Sequence, residues 1–115
     1  MKTIELLENY KAEILEKLEQ HVVMFKLIGH DGSRTGVNES PRYYNVGGFD
    51  EEFNTIKFRS TQSSKLGFDI YIKEEDRKHP AFWQRLKLDN QVIWNWFKEV
   101  RTNYLIENHP TVDAY

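Results

Sequence analysis

Cysteine is absent from all 115 residues. That excludes a disulfide framework, a thiolate zinc site and a thiol nucleophile together. Proline (three) and glycine (six) are sparse, too few for a collagen-like or low-complexity chain. The longest apolar run, Val22 to Phe25, is far short of the roughly 20 residues that cross a bilayer as a helix. A surplus of one charge is also missing: 16 Lys and Arg stand against 18 Asp and Glu, for a formal net charge of −2. The balance is local as well. Residues 1–20 carry three Lys and five Glu, residues 21–73 seven basic and six acidic groups, and residues 74–115 six and seven. Composition therefore supports neither a charge-driven nucleic-acid binder nor an acidic nucleic-acid mimic. Met1-Lys2-Thr3-Ile4-Glu5 turns acidic at once, with no apolar run before a cleavage site. No secretory signal is expected, and the cytoplasm is the expected compartment.

What is present is a globular mixture: 39% hydrophobic, 30% charged and a high 14% aromatic residues. The length suits a single domain spanning residues 1–115. Ile4, Leu7, Ile14 and Leu18 recur at helical spacing, widened by Leu6, Tyr10 and Leu15, and predict an amphipathic helix over residues 3–20 with Thr3 as its N-cap. Val22 to Ile28 is β-branched and aromatic and ends at Gly29, which predicts a covered strand. Residues 29–52 hold five of the six glycines together with Pro41 and read as an irregular loop region, with a short strand over Arg42–Val46 inside it.

Strict alternation then marks a hairpin. Asn54–Ser60 and Leu66–Lys73 place Ile56, Phe58, Leu66, Phe68, Ile70 and Ile72 on one face. Thr55, Lys57, Arg59, Asp69, Tyr71 and Lys73 take the other, which predicts one buried and one wet face. From Pro80 to about Glu107 the pattern is helical again, along Phe82, Leu86, Ile93, Phe97, Val100 and Tyr104, with Pro80 as a first helical residue. The stripe is interrupted at Asp89-Asn90. A continuous helix would run roughly 40 Å, so a break there is expected. Residues 108–115 are expected to form a tail. The predicted class is α+β: an N-terminal helix, a small antiparallel sheet of three to four strands, and a long or split C-terminal helix packed on one face.

Enzyme signatures are scarce. Gly32-Ser33-Arg34-Thr35-Gly36 lacks the Gly-Lys-Ser/Thr ending of a phosphate loop, and no Glu-x-Lys of a metal-dependent nuclease occurs. His30 and Asp31, with the carboxylates of Asp50, Glu51 and Glu52, form the only acid–base or hard-cation candidate. No catalytic residue, cofactor or metal is assigned.

Recognition features are stronger. In Val92-Ile93-Trp94-Asn95-Trp96-Phe97, the residues Trp94 and Trp96 point about 200° apart on a helix. They cannot share one stripe, and Phe82-Trp83 poses the same problem: either the helix is buried on more than one side or an aromatic faces outward onto a partner. Trp and Tyr are enriched at interface hot spots. The leading expectation is thus a small non-enzymatic protein-interaction module, of an accessory, inhibitor or immunity type. It would act by stoichiometric binding through Trp83, Trp94, Trp96, Tyr43 and Tyr44, with self-association as one form of partnership. The alternative is a nucleic-acid-binding domain using Arg34, Arg42, Tyr43, Lys57, Arg59, Tyr71 and Lys73, where cations would meet phosphates and aromatics would stack on bases.

Overall fold

The computed structural model describes residues 2–27 and 41–110. The first helix region is two helices, α1 (Thr3–Glu8) and α2 (Lys11–Leu27). Between them the Asn9 and Tyr10 amides donate to the carbonyls of Leu6 (3.1 Å) and Leu7 (2.9 Å), a tightened turn that redirects the chain. The turn drives Tyr10 inward, where its hydroxyl donates to Asp76 Oδ2 (2.5 Å) and accepts the Lys73 amide (3.0 Å). Thr3 is not an N-cap. It is the first helical residue, and its hydroxyl donates to the Asp89 carboxylate more than eighty residues away.

The strand expected over residues 22–28 is instead the end of α2, and Ile28 lies outside the described residues. Ile14, Leu18, Val22 and Phe25 are all buried, at intervals of four, four and three, while Val23 and Met24 are 43% and 39% exposed. That is helical periodicity. Extending an existing helix by a turn costs little, and Val22 gains a packing partner in Leu105. The β-preference of Val-Val-Met-Phe is outweighed.

A 3₁₀ turn (Pro41–Tyr43) leads into β1 (Tyr44–Asp50), longer than the strand predicted there. The hairpin follows as β2 (Thr55–Ser60) and β3 (Gly67–Tyr71). The sheet is an antiparallel meander in the order β1-β2-β3, with Phe58 opposite Val46 on one side and Phe68 on the other. Gly47 is an extra residue between the Val46–Phe58 and Gly48–Lys57 pairs, a bulge whose missing side chain leaves room for Arg59. Inward residues Val46, Ile56, Phe58, Phe68 and Ile70 are buried, and the alternate residues Thr55, Lys57, Arg59, Asp69 and Tyr71 are not.

The C-terminal region is split as expected, into α3 (Phe82–Leu88) and α4 (Asn90–Asn108), with Asp89 at the joint. Pro80 lies in the turn before α3 rather than at its first position. Helices cover one face of the sheet. Phe97 of α4 meets Phe58 at 4.8 Å between ring centres, and Phe58 stacks on Phe68 at 5.2 Å. At the far end, Glu19 accepts hydrogen bonds from Tyr104 and His109, both 2.5 Å, tying α2 to the end of α4. Among the described residues no helix is long and apolar enough to cross a membrane.

Two outcomes follow from this packing. A Cβ on Gly67 would lie 1.9 Å from the Phe58 carbonyl oxygen, so Gly67→Ala must push β3 off β2. It should destabilise by about 2 kcal/mol or more. Gly48→Ala, at φ +152° with open space around it, should cost nearer 1 kcal/mol. Urea midpoints separate the two. Burial and the Asp76 hydrogen bond push Tyr10 up to about 12, and burial with Glu19 does the same to Tyr104. An unfolded chain ionises these groups near pH 10, so their contribution is intact below pH 10 and is lost as pH rises towards 12. Unfolding free energies at stepped alkaline pH should fall over that window, less steeply in Tyr104→Phe.

Candidate functional site

Four residues of α4 recur at intervals of four on its inward side: Ile93, Phe97, Arg101 and Leu105. Three are apolar and fully buried, and the fourth, Arg101, is a cation only 8% exposed. Strand pairing explains its position. The Tyr43 carbonyl points towards β2 and accepts the Thr61 amide at 2.8 Å. By alternation the Tyr44 carbonyl points to the open edge of the sheet, since β1 is an edge strand. Arg101 Nη1 donates to that carbonyl at 2.8 Å. Its Nη2 reaches Thr102 Oγ1 at a long 3.4 Å. Its Nε is shielded from solvent and has no hydrogen-bond partner.

Trp94, Lys98 and Thr102 form the adjacent stripe of α4, again at intervals of four. With the Pro41–Tyr43 turn they wall a hollow of about 550 Å³, which Arg42, Tyr43 and Arg101 also line, while Asn45 and Thr61 complete its rim. Arg42 folds back over Tyr43, with its guanidinium 4.6 Å from the ring centre and Nη2 2.5 Å from the hydroxyl. Three lining residues are cations. None of the described residues lining the hollow is acidic. Arg101 is pulled down to about 10 by burial first and by Arg42 second. At neutral pH it remains charged, a cation held out of water beside another cation.

The structure thus joins two of the five predicted partner contacts, Trp94 and Tyr43. Trp96 points to the other side of α4, as the 200° separation requires. There its indole N–H donates to Glu8 at 2.8 Å beside a second groove of about 490 Å³ lined by Glu99, Tyr104 and Glu107 among others. Trp83 packs against the core and meets Phe82 edge-on at 5.0 Å. Tyr44 is fully buried, its hydroxyl 2.8 Å from His21 Nδ1, and offers no surface to a partner.

The nucleic-acid set is dispersed. Arg42 and Tyr43 belong to the hollow. Lys57 pairs with Asp50 (3.5 Å) and Arg59 with Asp69 (2.8 Å), and Arg59 also donates to the carbonyls of Phe58 and Phe68. Tyr71 accepts a hydrogen bond from Arg77 at 3.0 Å, and Lys73 is exposed beyond the end of β3. Arg34, like His30, Asp31 and the Gly32–Gly36 motif, lies outside the described residues. Of the carboxylates grouped with His30, Asp50 is taken by Lys57 and the Phe53 amide, and Glu51 pairs with Lys87 at 2.7 Å. Among the described residues no group of three potential ligands is placed to hold a metal ion.

Arg101 was absent from every set drawn from the sequence. The signal for it is a charged residue in phase between Phe97 and Leu105. Comparison with protein-family models, curated proteins and solved structures finds no match to this chain.

The three tryptophans differ in what they hold together. Among the described residues, Trp83 and Trp96 pack against the buried core and Trp94 is not in that packing. Trp83→Ala and Trp96→Ala should each cost about 1–3 kcal/mol, whereas Trp94→Ala should stay within about 0.5 kcal/mol of the parent. Thermal or urea unfolding of the three variants measures this.

Proposed function

We propose that this domain is a small binding module that acts stoichiometrically on a protein partner, in the manner of an accessory, inhibitor or immunity-type protein. Its contact surface is the hollow between α4 and the Pro41–Tyr43 turn. One observation carries the reading. Trp94 and Tyr43, some fifty residues apart in the chain, line the same concave surface, and among the described residues Trp94 is not part of the core packing. An aromatic pair with arginines at its margin has the composition of an interface hot spot.

The charged face of the hairpin lends less support to a nucleic-acid reading, because Lys57 and Arg59 are matched by Asp50 and Asp69. The test compares the tagged parent with Trp94→Ala and Tyr43→Ala in pull-downs from the source cell after nuclease treatment. The expected result is a protein held at near-equal stoichiometry by the parent and released by both variants, each still folded. Loss of all bound material on nuclease treatment would turn the assignment to nucleic acid. Retention by both variants would refute the surface named here. A second copy of the chain as the only retained protein would make the module a self-associating one.

A further inference from the structure

His21 sits on α2 where the helix lies against the sheet, and its ring is half-buried against one aromatic residue of β1 and one of β3. The ring centre is 5.3 Å from that of Tyr44 and 5.5 Å from that of Phe68. Nδ1 lies 2.8 Å from the Tyr44 hydroxyl, a neutral partner. His109 differs, since its ring meets the Glu19 carboxylate. The charged groups around His21 give it no such support. Lys17, one turn earlier on α2, carries a like charge, Glu19 is turned to Tyr104 and His109, and Asp69 of β3 is on the far face with Arg59. Arg101 of α4 holds the Tyr44 carbonyl, and Arg42 of the 3₁₀ turn is a further cation beside Arg101. Among the described residues no carboxylate lies within 4.0 Å of His21. Burial first and Lys17 second hold it below its ordinary value of 6.5. A neutral imidazole can donate to a hydroxyl or accept from it, whereas an imidazolium only donates. Protonation therefore puts a charge between two rings and leaves the Tyr44 hydroxyl no acceptor on His21.

We infer that His21 is an acid-sensitive latch on the proposed binding surface: neutral, it ties α2 to β1 through Tyr44, and protonated, it lets the C-terminal turns of α2 part from the sheet. This inference rests on the binding-module reading and names how its surface is regulated. Tyr44 transmits the change. Its side chain meets His21, its carbonyl is held by Arg101, and the preceding residue, Tyr43, walls the hollow. Loosening Tyr44 shifts that wall relative to Trp94 and weakens the hold on the partner. A histidine held below its unfolded value takes up its proton less readily when folded. Its contribution is therefore intact above about pH 6.5 and is lost as pH falls below it. Histidine is the side chain whose charge ordinarily changes in this range.

The test follows the His21 ring and the amides of residues 22–25 in the full isotope-labelled chain by NMR, from about pH 8 to about pH 5. His21 should titrate below 6.5. Hydrogen exchange of those amides, corrected for its intrinsic dependence on pH, should quicken about threefold or more at about pH 5 relative to about pH 7.5. His21→Gln keeps a group able to bond Tyr44 but cannot titrate, and should show no such change. Lys17→Gln removes the like charge without touching the contact and should raise the His21 midpoint. The protein captured in the pull-down should leave the parent at about pH 5 and stay on His21→Gln. Three outcomes overturn the inference: a His21 midpoint at or above 6.5, equal quickening by acid in His21→Gln, or full retention of the captured protein by the parent at about pH 5. The binding-module reading fails separately, through retention by Trp94→Ala and Tyr43→Ala at neutral pH, a result that leaves the His21 midpoint and the amide exchange where they are.

Discussion

Phe97 rests on Phe58 with 4.8 Å between ring centres, and that contact sets the rotation of α4 against the sheet. A three-stranded meander has one apolar face and no second sheet to cover it, so a helix must do so. Once Ile93 and Phe97 occupy that face, every other residue of α4 has its direction assigned by the 100° step of the helix. Trp94, Lys98 and Thr102 fall on the flank towards the Pro41–Tyr43 turn, and Trp96 and Tyr104 on the flank towards α1 and α2. The candidate site is a consequence of how the core is filled.

The same rotation places Arg101 where a large apolar residue would ordinarily stand. Its role towards the fold is to close the open edge of β1 through the Tyr44 carbonyl, which relieves an edge strand of one unpaired acceptor. That role uses one of five donors and none of the charge. In the groove beside Trp96, Glu8 and the indole satisfy each other within the chain.

Much of the architecture was legible because local pattern and tertiary environment agree. The alternation of Ile56, Phe58, Phe68 and Ile70 predicts the hairpin and its buried face, and the break at Asp89 follows from two polar residues interrupting an apolar stripe. The failure at residues 22–27 has a definite cause. Val-Val-Met-Phe has strand composition, but the fours-and-threes spacing from Ile14 through Phe25 matches a helix, and a helix already formed is extended at little cost. The break at Asn9-Tyr10 was missed because Tyr10 fits the apolar stripe equally well whether the helix bends or not. The bend shows only in the tertiary partner it gives Tyr10, the Asp76 carboxylate sixty-six residues away.

Trp94 and Trp96 must diverge on any helix, so that they lie on different flanks is settled by the order of residues alone. The α+β class, the hairpin faces and the absence of thiol chemistry are settled in the same way, since each depends on residue identity or on a local period. Which tryptophan stays tied to the protein, and that Tyr43 rather than Tyr44 shares a surface with the other, depends on the register of β1 and the rotation of α4. The burial of Arg101 depends on them too. These are long-range quantities, decided by packing between segments far apart in the chain, and no local period encodes them.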